Sequence, residues 1–114
     1  MAGLNPRIRQ RFIHRVYTAR EREQVRDEDQ GLIARFAAKE AVSKALGTGI
    51  GPVSWQEIEI LEKPSGAPYV ILHGKAKAIA EGIGLTHWSV SLSHSRSHAV
   101  AFVVGWGEIE HTDG

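Results

Sequence analysis

Apolar residues follow a helical period through the first half of the chain and mostly a strand period after it. Ile8, Phe12, Ile13 and Val16 fall at helical spacing, which predicts a short amphipathic helix entered at Asn5-Pro6, with proline at its first position. Thr18-Ala-Arg-Glu21 has the form of a capping box and predicts a second helix. Asp27 to Gly31 is polar and predicts a turn. The neighbouring acids Asp27, Glu28 and Asp29 read as a loop or helix cap before they read as a metal site. Leu32 to Gly51, LIARFAAKEAVSKALGTGIG, predicts one helix running into a glycine-rich turn, and Pro52 stops its continuation.

The period then shortens. Trp55 to Leu61 alternates, with Ile58 and Ile60 expected toward the core and Glu57 and Glu59 toward water. Lys63 to Gly66 is a turn, and Tyr69 to His73 is a second strand that completes a hairpin. Gly74 to Gly84 carries Ala76, Ile79, Ala80 and Ile83 and predicts a short helix closed by Gly82 or Gly84. His87 to Leu92 alternates again. Ala99 to Val104 is the most apolar run and is expected to be the central strand, antiparallel to the previous one across Ser93 to His98. Gly105 to Gly114 is a polar tail expected to fray. Helices first, then strands with one further helix, make the class α+β, a small antiparallel sheet packed on a long central helix.

That central helix carries the candidate chemistry. Ala34, Ala37, Ala38, Ala41 and Ala45 let a neighbour approach closely. At about 100° per residue, Phe36, Glu40, Ser43, Lys44 and Gly47 share one face. Ile33, Ala37, Ala41 and Ala45 form a ladder beside it. One carboxylate and one ammonium a turn apart, framed by small residues, suit a site. The same spacing also suits a solvated Glu–Lys surface pair.

Composition narrows the classes. A chain of 114 residues is expected to be one domain, spanning 1–114. A net charge of +1 argues against nucleic acid as the partner. The absence of cysteine excludes disulfides, thiolate metal sites and a cysteine nucleophile, and fits a reducing cytoplasm. No apolar run is long enough for a membrane span, and the N-terminus lacks the apolar core of a signal peptide.

Two further segments stand out. Arg7, Arg9, Arg11, Arg15 and Arg20 precede any acidic residue. They read as a solvated helix face or as a docking surface for an acidic partner. Ser93-His94-Ser95-Arg96-Ser97-His98 collects hydroxyls, imidazoles and a guanidinium, the groups a phosphate-binding loop uses, although serine and histidine are also ordinary hairpin residues. A Ser-His hydrolytic dyad lacks a third orienting carboxylate. His14, His73, His87 and His111 show no metal-ligand spacing.

The string F-A-A-K-E-A-V-S-K-A-L-G-T-G, Phe36 to Gly49, resembles the signature of the 4′-phosphopantetheinyl transferases of the holo-[acyl-carrier-protein] synthase type. Ser89 to Ser95, SVSLSHS, resembles a second stretch of that family. The resemblance covers roughly Arg11 to Val104 and implies the family's fold. It also implies an activity: transfer of 4′-phosphopantetheine from coenzyme A to a serine of an acyl carrier protein, in fatty acid biosynthesis. Glu40 then matches the family's Mg²⁺-binding glutamate. Lys44 matches its phosphate-contacting lysine, and either Glu40, through a water, or Lys44 serves as base. Gly47, Ser91, Ser93 and His94 match residues that bind coenzyme A. The resemblance further implies a homotrimer with its site between subunits, and a basic helix that docks the acidic carrier protein.

One feature departs from the family. Its members open with a strand G-I-G-x-D whose aspartate is the other metal ligand, and no such strand stands in this sequence. That leaves two expectations open: a start placed too late, or a naturally shortened, non-catalytic subunit that binds carrier protein or coenzyme A.

Overall fold

The computed structural model of the protein describes residues 5–26, 28–94 and 98–108. Three helices lead: α1 (Pro6–Val16), α2 (Ala19–Val25) and α3 (Asp29–Ala45). A 3₁₀ turn (Trp55–Glu57) opens the hairpin β1 (Ile58–Glu62) and β2 (Pro68–Leu72). Helix α4 (Gly74–Gly82) then leads to the hairpin β3 (His87–His94) and β4 (Ala99–Trp106).

Local chemistry sets the helix starts. The Asn5 side chain accepts from the Arg7 N–H, with Pro6 at the first helical position. Thr18 and Glu21 form the reciprocal capping box of α2. Helix α3 begins at Asp29, earlier than expected, and takes most of the predicted turn into its first coil. Asp29 is held there by Arg9 at 2.8 Å. The dense acids at 27–29 are thus spent partly on a helix start, where negative charge suits the dipole; Asp27 itself lies outside the described residues.

Two apolar clusters share α3. Ile13, Val16, Tyr17, Val25 and Leu32 form one, with Phe12, Phe36 and Trp55 against it. Ala38, Val42, Leu46, Val53, Ile58, Ile60, Ala76, Ala80 and Val90 form the other. The small residues buried on α3 are Ala34, Ala38 and Ser43; Ile33 and Ala45, from the expected ladder, are exposed.

Polar side chains close the free edge of β1, whose other edge pairs with β2. The Ile60 N–H donates to Glu21 and the Ile60 carbonyl accepts from Arg35 Nε at 3.0 Å. The Gln24 amide bonds both backbone groups of Glu62, and Lys39 Nζ donates to the Ile58 carbonyl. An uncovered edge would leave buried donors and acceptors unpaired. This explains why Arg35 and Lys39, both charged, lie on the buried stripe of α3.

Four expectations are corrected. Trp55 to Glu57 is a 3₁₀ turn and the strand starts at Ile58. Glu59 does not face water: it is buried, because the start of α2 covers that face and supplies Thr18 and Arg20 as partners, with His73 as a third. Burial pushes its carboxyl pKa up, but hydrogen bonds from Thr18, His73 and Arg20 outweigh this and hold it below the ordinary range. Strand β4 is not central. It pairs only with β3 among the described residues, and Val100, Phe102, Val104 and Trp106 are exposed along one face. Gly105 and Trp106 belong to that strand rather than to a tail. Gly105 opposes Trp88, whose ring lies where a Cβ would stand, 2.9 Å away.

Candidate functional site

Helix α3 and the turn after it build one wall and the floor of a cleft. Past Ala45 the chain reverses: Gly47 takes a positive φ of 80°, and the N–H groups of Thr48 and Gly49 both return to the Ser43 carbonyl at 3.2 and 3.1 Å. A side chain at Gly47 would be strained there. This reversal brings Gly49 and Ile50 back beside the helix. With Phe36, Glu40, Ser43, Lys44 and Trp55 they enclose a cleft of about 330 Å³.

The far wall is aromatic. Trp55 stacks on Phe36 with centroids 4.6 Å apart and rings inclined by 26°. Phe36 in turn leans on Phe12. The expected shared face of Phe36, Glu40, Ser43 and Lys44 is therefore real, and it lines a concavity. Gly47 bends the chain but does not line the cleft; Gly49 does.

Glu40 is half-buried and Lys44 exposed. No ion pair joins them, and neither side chain has a hydrogen-bond partner among the described residues. The surface-pair explanation of the spacing thus lacks its contact. Among the described residues no three His, Asp or Glu side chains gather to hold a metal. A single free carboxylate suits Mg²⁺, which takes one or two carboxylates plus phosphate oxygens and water. It would not suit a cation that needs a protein cage.

Ser91 and Ser93 are not brought to this cleft. They oppose Phe102 and Val100 on the outer face of the β3–β4 hairpin, while Val90 and Leu92 occupy the inner face against the core. Strand alternation turns the two serines away from the core face that holds Val90 and Leu92, and neither lines the cleft. The backbone of His94 pairs with Ala99 at the end of β3; Ser95, Arg96 and Ser97 lie outside the described residues, so the loop's phosphate-binding character rests on sequence.

The arginine-rich segment divides by role. Arg9 is tied to Asp29 and Arg20 to Glu59. Arg7, Arg11 and Arg15, four residues apart along α1, are exposed. Sequence reading missed Trp55 as a lining residue, because its alternation with Ile58 and Ile60 looked like strand. It also missed Glu21 and Lys39 as a buried pair, although a lysine on an apolar helix stripe was a usable signal. No described helix is long and apolar enough to cross a membrane.

Comparison with known proteins places this arrangement. The family model described as the 4′-phosphopantetheinyl transferase superfamily matches residues 4–103. The holo-[acyl-carrier-protein] synthase of Herpetosiphon aurantiacus is 50% identical over 105 residues, covering 86% of this chain and 83% of that protein. The crystal structure of Helicobacter pylori holo-[acyl-carrier-protein] synthase in complex with coenzyme A aligns with a TM-score of 0.78 at 33% identity, covering 88% of this chain and 85% of that one. A holo-(acyl-carrier-protein) synthase from Bacillus anthracis in complex with CoA (3′,5′-ADP) aligns with a TM-score of 0.72, also at 33% identity, covering 90% and 85%. A family model matched over residues 4–103, together with a relative 50% identical over 105 residues, shows that the chain belongs to the 4′-phosphopantetheinyl transferase superfamily.

Proposed function

We propose that the protein transfers 4′-phosphopantetheine from coenzyme A to a serine of an acyl carrier protein, as a holo-[acyl-carrier-protein] synthase. The observation that carries this is the cleft itself: Glu40 and Lys44, unpaired by each other, beside Ser43 and a glycine turn. The serine oxygen attacks the β-phosphorus of the coenzyme A pyrophosphate. The bond to the leaving phosphate breaks, adenosine 3′,5′-bisphosphate departs, and the serine proton passes to Glu40 through a water or to Lys44. Lys44 offsets charge on the phosphate oxygens as the bond breaks. Mg²⁺, anchored by Glu40, would supply further charge neutralisation on the pyrophosphate.

Ser91, Ser93, His94 and Gly47 are assigned to coenzyme A binding. For the two serines this requires a second copy of the chain, since they lie away from the cleft of their own. The apolar outer face of β4, with Val100, Phe102, Val104 and Trp106 exposed, supports assembly there. A homotrimer with the site between subunits accounts for both facts. The work belongs to fatty acid biosynthesis in the cytoplasm, with 1–114 acting as one domain.

The test is mass spectrometry of an apo-acyl carrier protein incubated with the chain, coenzyme A and Mg²⁺. A mass gain of one phosphopantetheine group is expected, and it should vanish when the metal is chelated. Coenzyme A binding with no transfer to any carrier would instead favour the non-catalytic binding subunit.

Carrier docking falls to the exposed arginines of α1. Replacing Arg7, Arg11 and Arg15 together by alanine should raise the KM for carrier protein about tenfold at low salt and flatten its salt dependence, since exposed charges are screened beyond about 10 Å at 0.1 M. Coenzyme A affinity should not change. A carrier KM unaffected at low ionic strength would remove α1 as the docking surface.

A further inference from the structure

Lys39 and Glu21 are both fully buried, and their charged groups meet at 2.7 Å. The lysine ammonium has three protons and three acceptors: Glu21 Oε1, the Trp55 carbonyl at 3.0 Å, and the Ile58 carbonyl. The other Glu21 oxygen accepts the Ile60 N–H at 3.1 Å. One ion pair therefore joins α2, α3, the 3₁₀ turn and β1. Burial pushes the Lys39 pKa down, and attraction to Glu21 opposes this.

Such a pair is weak evidence for stability, because apolar residues of similar volume often serve as well. What an apolar pair cannot supply is the link from α3 to the Trp55 carbonyl, which accepts from Lys39 Nζ in addition to the Ile58 N–H of its own turn. Trp55 sits in a 3₁₀ turn of three residues, closed locally by a Ser54–Glu57 capping box and the Ile58 N–H, and those local bonds do not fix where the turn stands against α3. Among the described residues, it is also the one lining the cleft that comes from beyond α3 and its following loop. Its indole stacks on Phe36, which lies one turn before Lys39 and Glu40 on α3. The same helical turn thus grips the Trp55 backbone with Lys39 on its buried side and presents Glu40 on its open side.

We propose that the Glu21–Lys39 pair is a positioning device that fixes the Phe36–Trp55 wall of the cleft, and that this wall packs against the organic part of coenzyme A. The inference rests on the cleft being the coenzyme A site. The pair touches no reacting atom, so it governs affinity for coenzyme A and leaves the chemical step alone.

The test is the double variant Glu21→Gln/Lys39→Met, which removes both charges together and strands neither. Its folding is checked by a cooperative thermal melt. Expected is a coenzyme A KM raised about tenfold or more with kcat within about threefold, a split that simple loss of folded protein would not produce. Calorimetric coenzyme A affinity should weaken to match. If that variant does not fold, Glu21→Gln/Lys39→Gln replaces it: its amides can bond each other, but the shorter side chain at 39 falls short of the Trp55 carbonyl. A folded variant with unchanged KM and unchanged affinity, or with kcat lowered at constant KM, overturns the proposal. Transferase failure of the wild-type chain alone would strike the proposed function, while the calorimetric comparison would still decide the positioning role. A wild-type chain that binds no coenzyme A would overturn both.

Discussion

Glu40→Ala is expected to lower metal-dependent transfer by roughly two to three orders of magnitude, the scale seen when one preorganised electrostatic stabiliser of a transition state is removed. Stability should hardly move. The Glu40 side chain has no hydrogen-bond or ion-pair partner among the described residues, and substitutions free of such partners usually stay within about 0.5 kcal/mol. A residue that matters to the reaction and not to the fold is one kept for a ligand. Lys44→Ala should reduce kcat more than it weakens coenzyme A binding, if its charge counts most as the phosphate oxygens gain charge. The checks are transfer rates over a Mg²⁺ titration with a parallel denaturant melt. Glu40→Ala with wild-type rate and metal dependence would return Glu40 and Lys44 to an ordinary helix surface.

Local signals carried far in this chain. Asn5-Pro6 and the Thr18–Glu21 box mark helix starts that depend on side chain and backbone within a few residues, so the sequence alone suffices there. The face of Phe36, Glu40, Ser43 and Lys44 follows from helical geometry in the same way. What stayed hidden depends on partners distant in sequence. Glu59 lies on the face opposite Ile58 and Ile60, as alternation requires, yet residues some forty positions earlier cover it. Alternation reports which residues share a face, not whether the second face is dry. The exposed apolar row on β4 failed in the opposite sense: a continuous apolar run reads as a doubly buried strand, but within one chain only its inner face is covered. Trp55 was obscured because a 3₁₀ turn entering a strand blurs the period on which the reading depends.

That exposed row leads to the second large effect. Phe102 is 71% exposed, with Val100, Val104 and Trp106 beside it on the same face, and Ser91 and Ser93 stand directly across the ladder from Phe102 and Val100. If this face packs against other copies, it delivers those serines to a neighbour's cleft. Phe102→Asp puts a charge where the contact would exclude water, so the assembly should dissociate to monomers in sedimentation at micromolar concentration. Transfer should fall at least about 100-fold, because a buried unpaired charge is strongly disfavoured and each monomer would keep Glu40 but lose the neighbour's Ser91 and Ser93. The monomer should retain its melt, since the Phe102 side chain lies outside the core of its own chain. Mixing experiments separate a shared site from a merely assisted one. Glu40→Ala chains and Ser91→Ala/Ser93→Ala chains should each be inactive alone. Mixed after dissociation and reassembly, they should regain a measurable fraction of wild-type rate, because some interfaces then pair an intact Glu40 with intact serines. No regain on mixing would place Glu40 and the serines in the site of a single chain, against the positions they occupy here. Full transfer by a monomeric Phe102→Asp variant would remove the need for a second copy altogether.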